Sequence, residues 1–238
     1  TDYYQLSQPR QYPVGTEFVY SNTTPRSSRK EEIKEVVVFG IQYLLKEYLL
    51  NQFNDNFFNI PKDRAIGEIQ RITDATLGPN SVDVKLFGDL HDLGYLPLHI
   101  KALPEGTKCP LQVPFMTIVN TDKRFYWLTN FVETMTQTVT WAGITSATIA
   151  DQFKKLLARY AAETSDAPDF VNWQGHDFSM RGMSSIESGK ISGAAHLLSF
   201  TGTDTIPAIM FLEKYYGANV ETELVGGSVP ATEHAVMC

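Results

Sequence analysis

His176-Asp177-Phe178 with Arg181, Gly202-Thr203-Asp204-Thr205, and Ser228-Val229-Pro230-Ala231-Thr232-Glu233-His234 are three polar clusters, each following a short apolar or small-residue run. His176 to Asp204 is 28 residues and Asp204 to His234 is 30. A strand, a turn, a helix and a return loop need about 30 residues, the length of one βα repeat. An α/β barrel places reactive side chains once per repeat, at strand ends on one face. The spacing therefore predicts successive βα units carrying a site.

Upstream the patterning is more mixed. Thr16 to Ser21 alternates like a strand, and Thr23 to Lys34 reads as an exposed basic loop with Arg26, Arg29 and Lys30. Val36 to Phe53 has helical apolar spacing, and Pro61 blocks any continuation. Ser81 to Leu90 fits helix and strand equally. Leu98 to Leu103 and Gln112 to Val119 read as extended runs joined through the Pro104-Glu105-Gly106 turn. Two helices are expected, Arg124 to Thr138 and Thr148 to Glu163, the second with Ile149, Phe153, Leu156, Leu157 and Tyr160 on one face. Thr164 to Pro168 then connects to the repeats. The expected organisation is an α/β domain over 1–165 and the first, incomplete part of an α/β barrel over 166–238. A repeat broken after its strand leaves open edges, so the chain is expected to be a portion of a longer polypeptide.

Bulk properties exclude more than they identify. A net charge of -7 argues against nucleic acid and against an anionic membrane surface as partners. No run approaches the roughly 20 apolar residues of a spanning helix. Two cysteines, Cys109 and the terminal Cys238, make no disulfide scaffold, which favours a reducing compartment, the cytoplasm. No His, Cys, Asp and Glu set has metal-ligand spacing.

Taken singly, each polar candidate has a plain alternative. His91, His99 and His196 fit structural or exposed positions, His176-Asp177 a capping or buried hydrogen-bonded pair, and Gly226-Gly227-Ser228 a turn. Their conjunction is more informative. Phe178 offers a stacking platform, Arg181 a bidentate phosphate donor set, and Asp204 an acceptor for N–H that repels carboxylates. His234 completes the face. Such a set suits a flat, neutral, amide-bearing heterocycle meeting a phosphorylated partner.

These motifs resemble the nicotinamide phosphoribosyltransferase family. The segment from His176-Asp177-Phe178-Ser179-Met180-Arg181 through Ser185, Gly202-Thr203-Asp204-Thr205, Lys214-Tyr215-Tyr216-Gly217 and Ser228 to His234 carry the likeness. So do Thr1-Asp2-Tyr3-Tyr4, Phe39-Gly40-Ile41-Gln42-Tyr43, Asn120-Thr121-Asp122 and Tyr126-Trp127-Leu128-Thr129-Asn130, in the same order. The resemblance implies a type II phosphoribosyltransferase-like fold, of which this chain corresponds to the N-terminal half. It also implies a homodimer with sites at the subunit interface. The implied reaction makes nicotinamide mononucleotide and pyrophosphate from nicotinamide and 5-phosphoribosyl 1-pyrophosphate, with Mg²⁺ on the pyrophosphate and ATP as an optional coupling substrate.

By resemblance, Phe178 and Tyr4 of the partner subunit sandwich the nicotinamide ring, and Asp204 accepts from its carboxamide. Ser228 and His176 line the pocket, Arg181 contacts the phosphorylated substrate, Arg26 of the partner subunit reaches the pyrophosphate, and His234 is the phosphorylated histidine. Ser179-Met180 departs from the small-plus-aromatic pair of animal members and points to a microbial or viral type. Two alternatives stay open: nicotinate phosphoribosyltransferase, and a catalytically incomplete fragment acting as an interaction module.

Overall fold

Asn120 sets where the first sheet begins. In the computed structural model, which describes residues 1–238, its buried amide accepts from the Val19 N–H at 2.9 Å and donates to Glu17 O at 2.9 Å and Asp122 O at 3.0 Å. A side chain thus satisfies backbone that the alternating pattern assigned to a ladder. The strand accordingly starts at Tyr20, not Thr16, and runs Tyr20–Thr23. It pairs antiparallel with Met116–Asn120, whose other edge carries Leu98–Ala102. The expected run from Gln112 is shortened because Gln112 has φ 67°, a left-handed turn conformation, and its N–H bonds Pro25 O. Met116, Ile118 and Asn120 alternate into the core.

That sheet belongs to the first of two units, Thr1–Ser28, Ile41–Pro104 and Cys109–Thr140. Ser81 to Leu90 resolves as a helix, Lys85–Leu93, with Phe87 and Leu90 buried and Gly94 closing it at φ 79°. Phe87 packs edge-on with Trp127 at 5.3 Å between ring centroids. Pro61 ends one helix and starts another, Lys62–Leu77, which apolar spacing did not reveal because only Ala65 and Thr73 of it are buried. The helix expected from Val36 begins at Ile41 and continues past Phe53 to Phe58, mostly in a wider i→i+5 winding. Its supposed first turn is a strand, Glu35–Val37, as suits a β-branched run.

The second unit comprises Arg29–Gly40, Glu105–Lys108 and Trp141–Cys238. The two helices expected around Arg124 to Glu163 are a short helix, Leu128–Phe131, and one continuous helix, Glu133–Thr164. Packing, not propensity, keeps the β-branched, Gly-containing stretch from 139 to 147 helical: a Cβ on Gly143 would come 3.1 Å from Phe39 and Ile191, so a close contact holds the middle. Thr140 and Thr148 satisfy their buried hydroxyls on Thr136 O and Ile144 O.

Three parallel strand segments follow in order. His176–Asp177 pairs with Gly202–Thr203, and Gly202 bridges Gly227 on the other side. Between them lie the helices Ile186–His196, capped by Ser185 Oγ on the Ser188 N–H, and Ile206–Tyr216, ended by Gly217 at φ 76°. The repeat spacing therefore corresponds to successive βα units in one parallel sheet, and the α/β class expected from it is observed.

Candidate functional site

Each strand in the parallel sheet is only a few residues long, so the next residue in sequence stands at its C-terminal end. Those residues are Phe178, Asp204 and Ser228. The Asp204 N–H donates to Asp177 O, and the Thr203 N–H to Gly227 O, which fixes the three ends side by side. His176 Nε2 lies 2.7 Å from Asp204 Oδ1, and the Ser228 hydroxyl donates to Asp204 at 2.5 Å. The Ser228 and His176 donors, helped by the charge of Arg181, hold the Asp204 carboxyl below the usual carboxylate range. Phe178 is 64% exposed, with its ring 4.6 Å from that of His176 at an interplanar angle of 32°. Arg181 stands exposed on the adjoining turn, Ser179–Gly182.

Beneath this surface cluster lies a buried one that residue spacing did not single out. Asp177 Oδ2 accepts from Thr205 Oγ1 at 2.6 Å and Thr203 Oγ1 at 3.1 Å, while Oδ1 accepts from the Ser179 N–H. Burial pushes the Asp177 carboxyl up, but these donors outweigh it and leave it below its ordinary value. The threonines on either side of Asp204 therefore point inward and anchor it. Their alternation, Thr203 and Thr205 around Asp204, was the available signal.

His176, Phe178, Asp204 and Ser228 come together, with Arg181 beside them. Tyr4, 58% exposed on the helix Tyr3–Ser7, and the exposed Arg26 belong to the first unit. His234 opens the short helix His234–Met237 and is exposed, outside the hydrogen-bonded cluster. No group of three or more His, Cys, Asp and Glu side chains is placed to hold a metal ion. Chemically, an exposed ring, an ionised carboxylate and a nearby guanidinium can stack a planar ligand, accept its N–H and attract an anion.

Comparison with known proteins fits this geometry. A crystal structure of human nicotinic acid phosphoribosyltransferase superposes with a TM-score of 0.63 at 16% identity, covering 89% of this chain and 37% of that one. The fold is that of a type II phosphoribosyltransferase.

Sequence kinship is narrower. Residues 1–59 match the nicotinamide phosphoribosyltransferase N-terminal domain, and residues 173–238 the nicotinate phosphoribosyltransferase family. The whole chain is 47% identical to a nicotinamide phosphoribosyltransferase of Acinetobacter baylyi, covering 47% of that protein. It is 32% identical to that of Xanthomonas campestris, again covering 47%, and 33% identical to that of Mycoplasma genitalium, covering 52%. The chain is thus homologous over its full length to nicotinamide phosphoribosyltransferases, and it spans about half the length of the curated relatives it matches.

Proposed function

We propose that this chain carries the base-recognition part of a phosphoribosyltransferase that makes nicotinamide mononucleotide and pyrophosphate from nicotinamide and 5-phosphoribosyl 1-pyrophosphate. The observation that carries this is the ionised Asp204 at a strand end beside the exposed ring of Phe178. A carboxylate accepts from a carboxamide N–H, and the aromatic face takes the pyridine ring. The ring nitrogen then attacks C1 of the ribose as pyrophosphate departs. Positioning and electrostatic stabilisation of the oxocarbenium-like state supply most of the acceleration. Mg²⁺ enters as part of the pyrophosphate substrate, where a few carboxylates and phosphate oxygens ordinarily suffice to hold it. Arg181 suits the phosphorylated substrate, and Arg26 of the partner subunit its pyrophosphate.

The nicotinate reading draws support from the family match over residues 173–238. Asp204 counts against it, because an ionised carboxylate repels a second carboxylate brought to hydrogen-bonding distance.

A homodimer, with Tyr4 of the partner subunit closing over Phe178, is part of the proposal. Trp141, Ile149, Phe153, Leu156 and Tyr160 leave an uncovered apolar stripe on the long helix, which supports association. His234, exposed at a helix start, is the group we assign to phosphorylation by ATP. The unpaired thiols Cys109 and Cys238 favour the cytoplasm.

The test is chromatographic detection of nicotinamide mononucleotide after incubation with both substrates and Mg²⁺. It uses this chain and the longest polypeptide that contains it, with nicotinic acid in parallel. Turnover of nicotinamide in preference to nicotinic acid is expected; the reverse preference would establish the alternative. Incubation with ATP should leave an acid-labile phosphate that mass spectrometry maps to His234, and its location elsewhere would remove His234 from the scheme.

A further inference from the structure

Two side chains from two different strand ends converge on one oxygen. His176 Nε2 and Ser228 Oγ both bond Asp204 Oδ1, at 2.7 and 2.5 Å, while Asp204 Oδ2 accepts no hydrogen bond from the chain. The torsion that orients a carboxylate is broad and roughly two-fold, so a lone surface aspartate presents neither oxygen at a fixed point. With Oδ1 fastened by two donors, Oδ2 is held in place and left vacant.

The backbone enforces the first donor. His176 and Gly202 are register partners on adjacent strands, and a Cβ on Gly202 would come 2.6 Å from His176 Nδ1. Only glycine lets the imidazole lie with Nδ1 over residue 202 and Nε2 toward Asp204. An ionised carboxylate only accepts, so Nε2 carries the proton. The same ring backs Phe178. His176 therefore touches both the stacking platform and the acceptor.

We propose that His176 and Ser228 are positioning residues that clamp Asp204 Oδ1, so that Oδ2 is the single fixed acceptor for the carboxamide N–H of the base. Selection of a neutral amide over a carboxylate then belongs to the three residues together and not to Asp204 alone. The proposal rests on the nicotinamide reading above. Without the clamp the carboxylate turns freely and takes up a proton more readily, and a protonated Asp204 can donate to the carboxylate of nicotinic acid.

Four variants in the longest polypeptide containing this chain separate the contributions. His176→Phe keeps a ring against Phe178 and removes the donor. His176→Gln keeps a donor and removes the ring. Ser228→Ala removes the other donor, and His176→Phe with Ser228→Ala removes both. The preference for nicotinamide over nicotinic acid, as a ratio of kcat/KM values, is expected to fall about tenfold in His176→Phe and further in the double variant. His176→Gln should keep the ratio within about threefold of wild type, though KM for both bases rises as the stack loosens.

Carbon-13 NMR titration of the Asp204 carboxyl without substrate reads the clamp directly. Its midpoint should rise in the double variant, which lacks both donors to the charged form. An unmoved midpoint, or an unchanged base preference in the double variant, overturns the proposal. A wild-type protein that uses neither base would refute the nicotinamide reading, while the NMR midpoint would still decide whether the clamp exists.

Discussion

Asp177 and Asp204 stand on adjoining strand ends, yet their surroundings give them opposite work. Asp204 faces outward with one oxygen open, whereas Asp177 is buried under three donors from Thr205, Thr203 and Ser179. Because the folded Asp177 carboxyl sits below its ordinary value, it contributes stability above the unfolded pKa near 3.9. That contribution is lost as pH falls through the lower folded value. Asp177→Asn replaces an acceptor oxygen with a donor facing hydroxyl donors. It should lower stability at pH 7 by about 1–3 kcal/mol and flatten the acid limb below about pH 4. Urea unfolding across that range checks both effects, and superimposable pH profiles for variant and wild type would show that Asp177 is not the anchor. Asp204→Ser acts on binding instead. Losing a charge-assisted hydrogen bond should reduce kcat/KM for nicotinamide by about tenfold to a hundredfold and relax exclusion of nicotinic acid. An unchanged preference would remove Asp204 from base recognition. His176, Phe178, Asp204 and Ser228 were legible as polar punctuation after apolar runs. Asp177 was legible only as half of a capping or buried hydrogen-bonded pair, because a strand of two residues is too short for alternation to say which side chain points inward.

Secondary structure followed from local pattern wherever packing agreed with it. The Leu98–Ala102 strand and the βα units are such places. It failed where a side chain or a glycine took over a backbone role, as Asn120 does ahead of Tyr20 and Gly143 does in the long helix. The helix pair Ile186–His196 and Ile206–Tyr216 shows how small a margin such contacts leave. A Cβ on Gly193 would come 2.9 Å from Ala208 Cβ, 2.9 Å from Asp177 Oδ2 and 3.2 Å from Thr205 Cβ. None of these is the free end of a flexible side chain. In an open helix, Gly→Ala would add up to about 1 kcal/mol of stability. Here overpacking costs about 1–3 kcal/mol and also presses on the anchor of Asp204, so Gly193→Ala should destabilise. A urea midpoint below wild type with an unchanged m-value is the expected result. A midpoint above wild type would show that the pair can slide apart without penalty.

At the scale of the whole molecule, sequence pattern and structure part company most clearly on the long helix. Ile149, Phe153, Leu156 and Tyr160 do form one apolar face, as their spacing required, but each is more than 40% exposed. Helical periodicity reports that a face is apolar and not what covers it. Tyr4, likewise, is an exposed aromatic in the first unit with no ligand-directed feature of its own. Its proposed task requires a second subunit, and that requirement can be isolated genetically. Phe178→Ala and Tyr4→Ala should each raise KM for nicotinamide, because each removes one face of the aromatic sandwich. If the two rings come from different subunits, a mixed dimer contains one site with both rings and one with neither. Random exchange of equal amounts makes half of the dimers mixed, so about a quarter of wild-type sites should reappear in a two-fold assembly. Kinetics of the exchanged mixture at low nicotinamide measure this directly, with exchange itself verified by mass-tagged subunits. Recovery to roughly that level would place Tyr4 across the dimer, whereas no recovery after complete exchange would confine its action to its own chain.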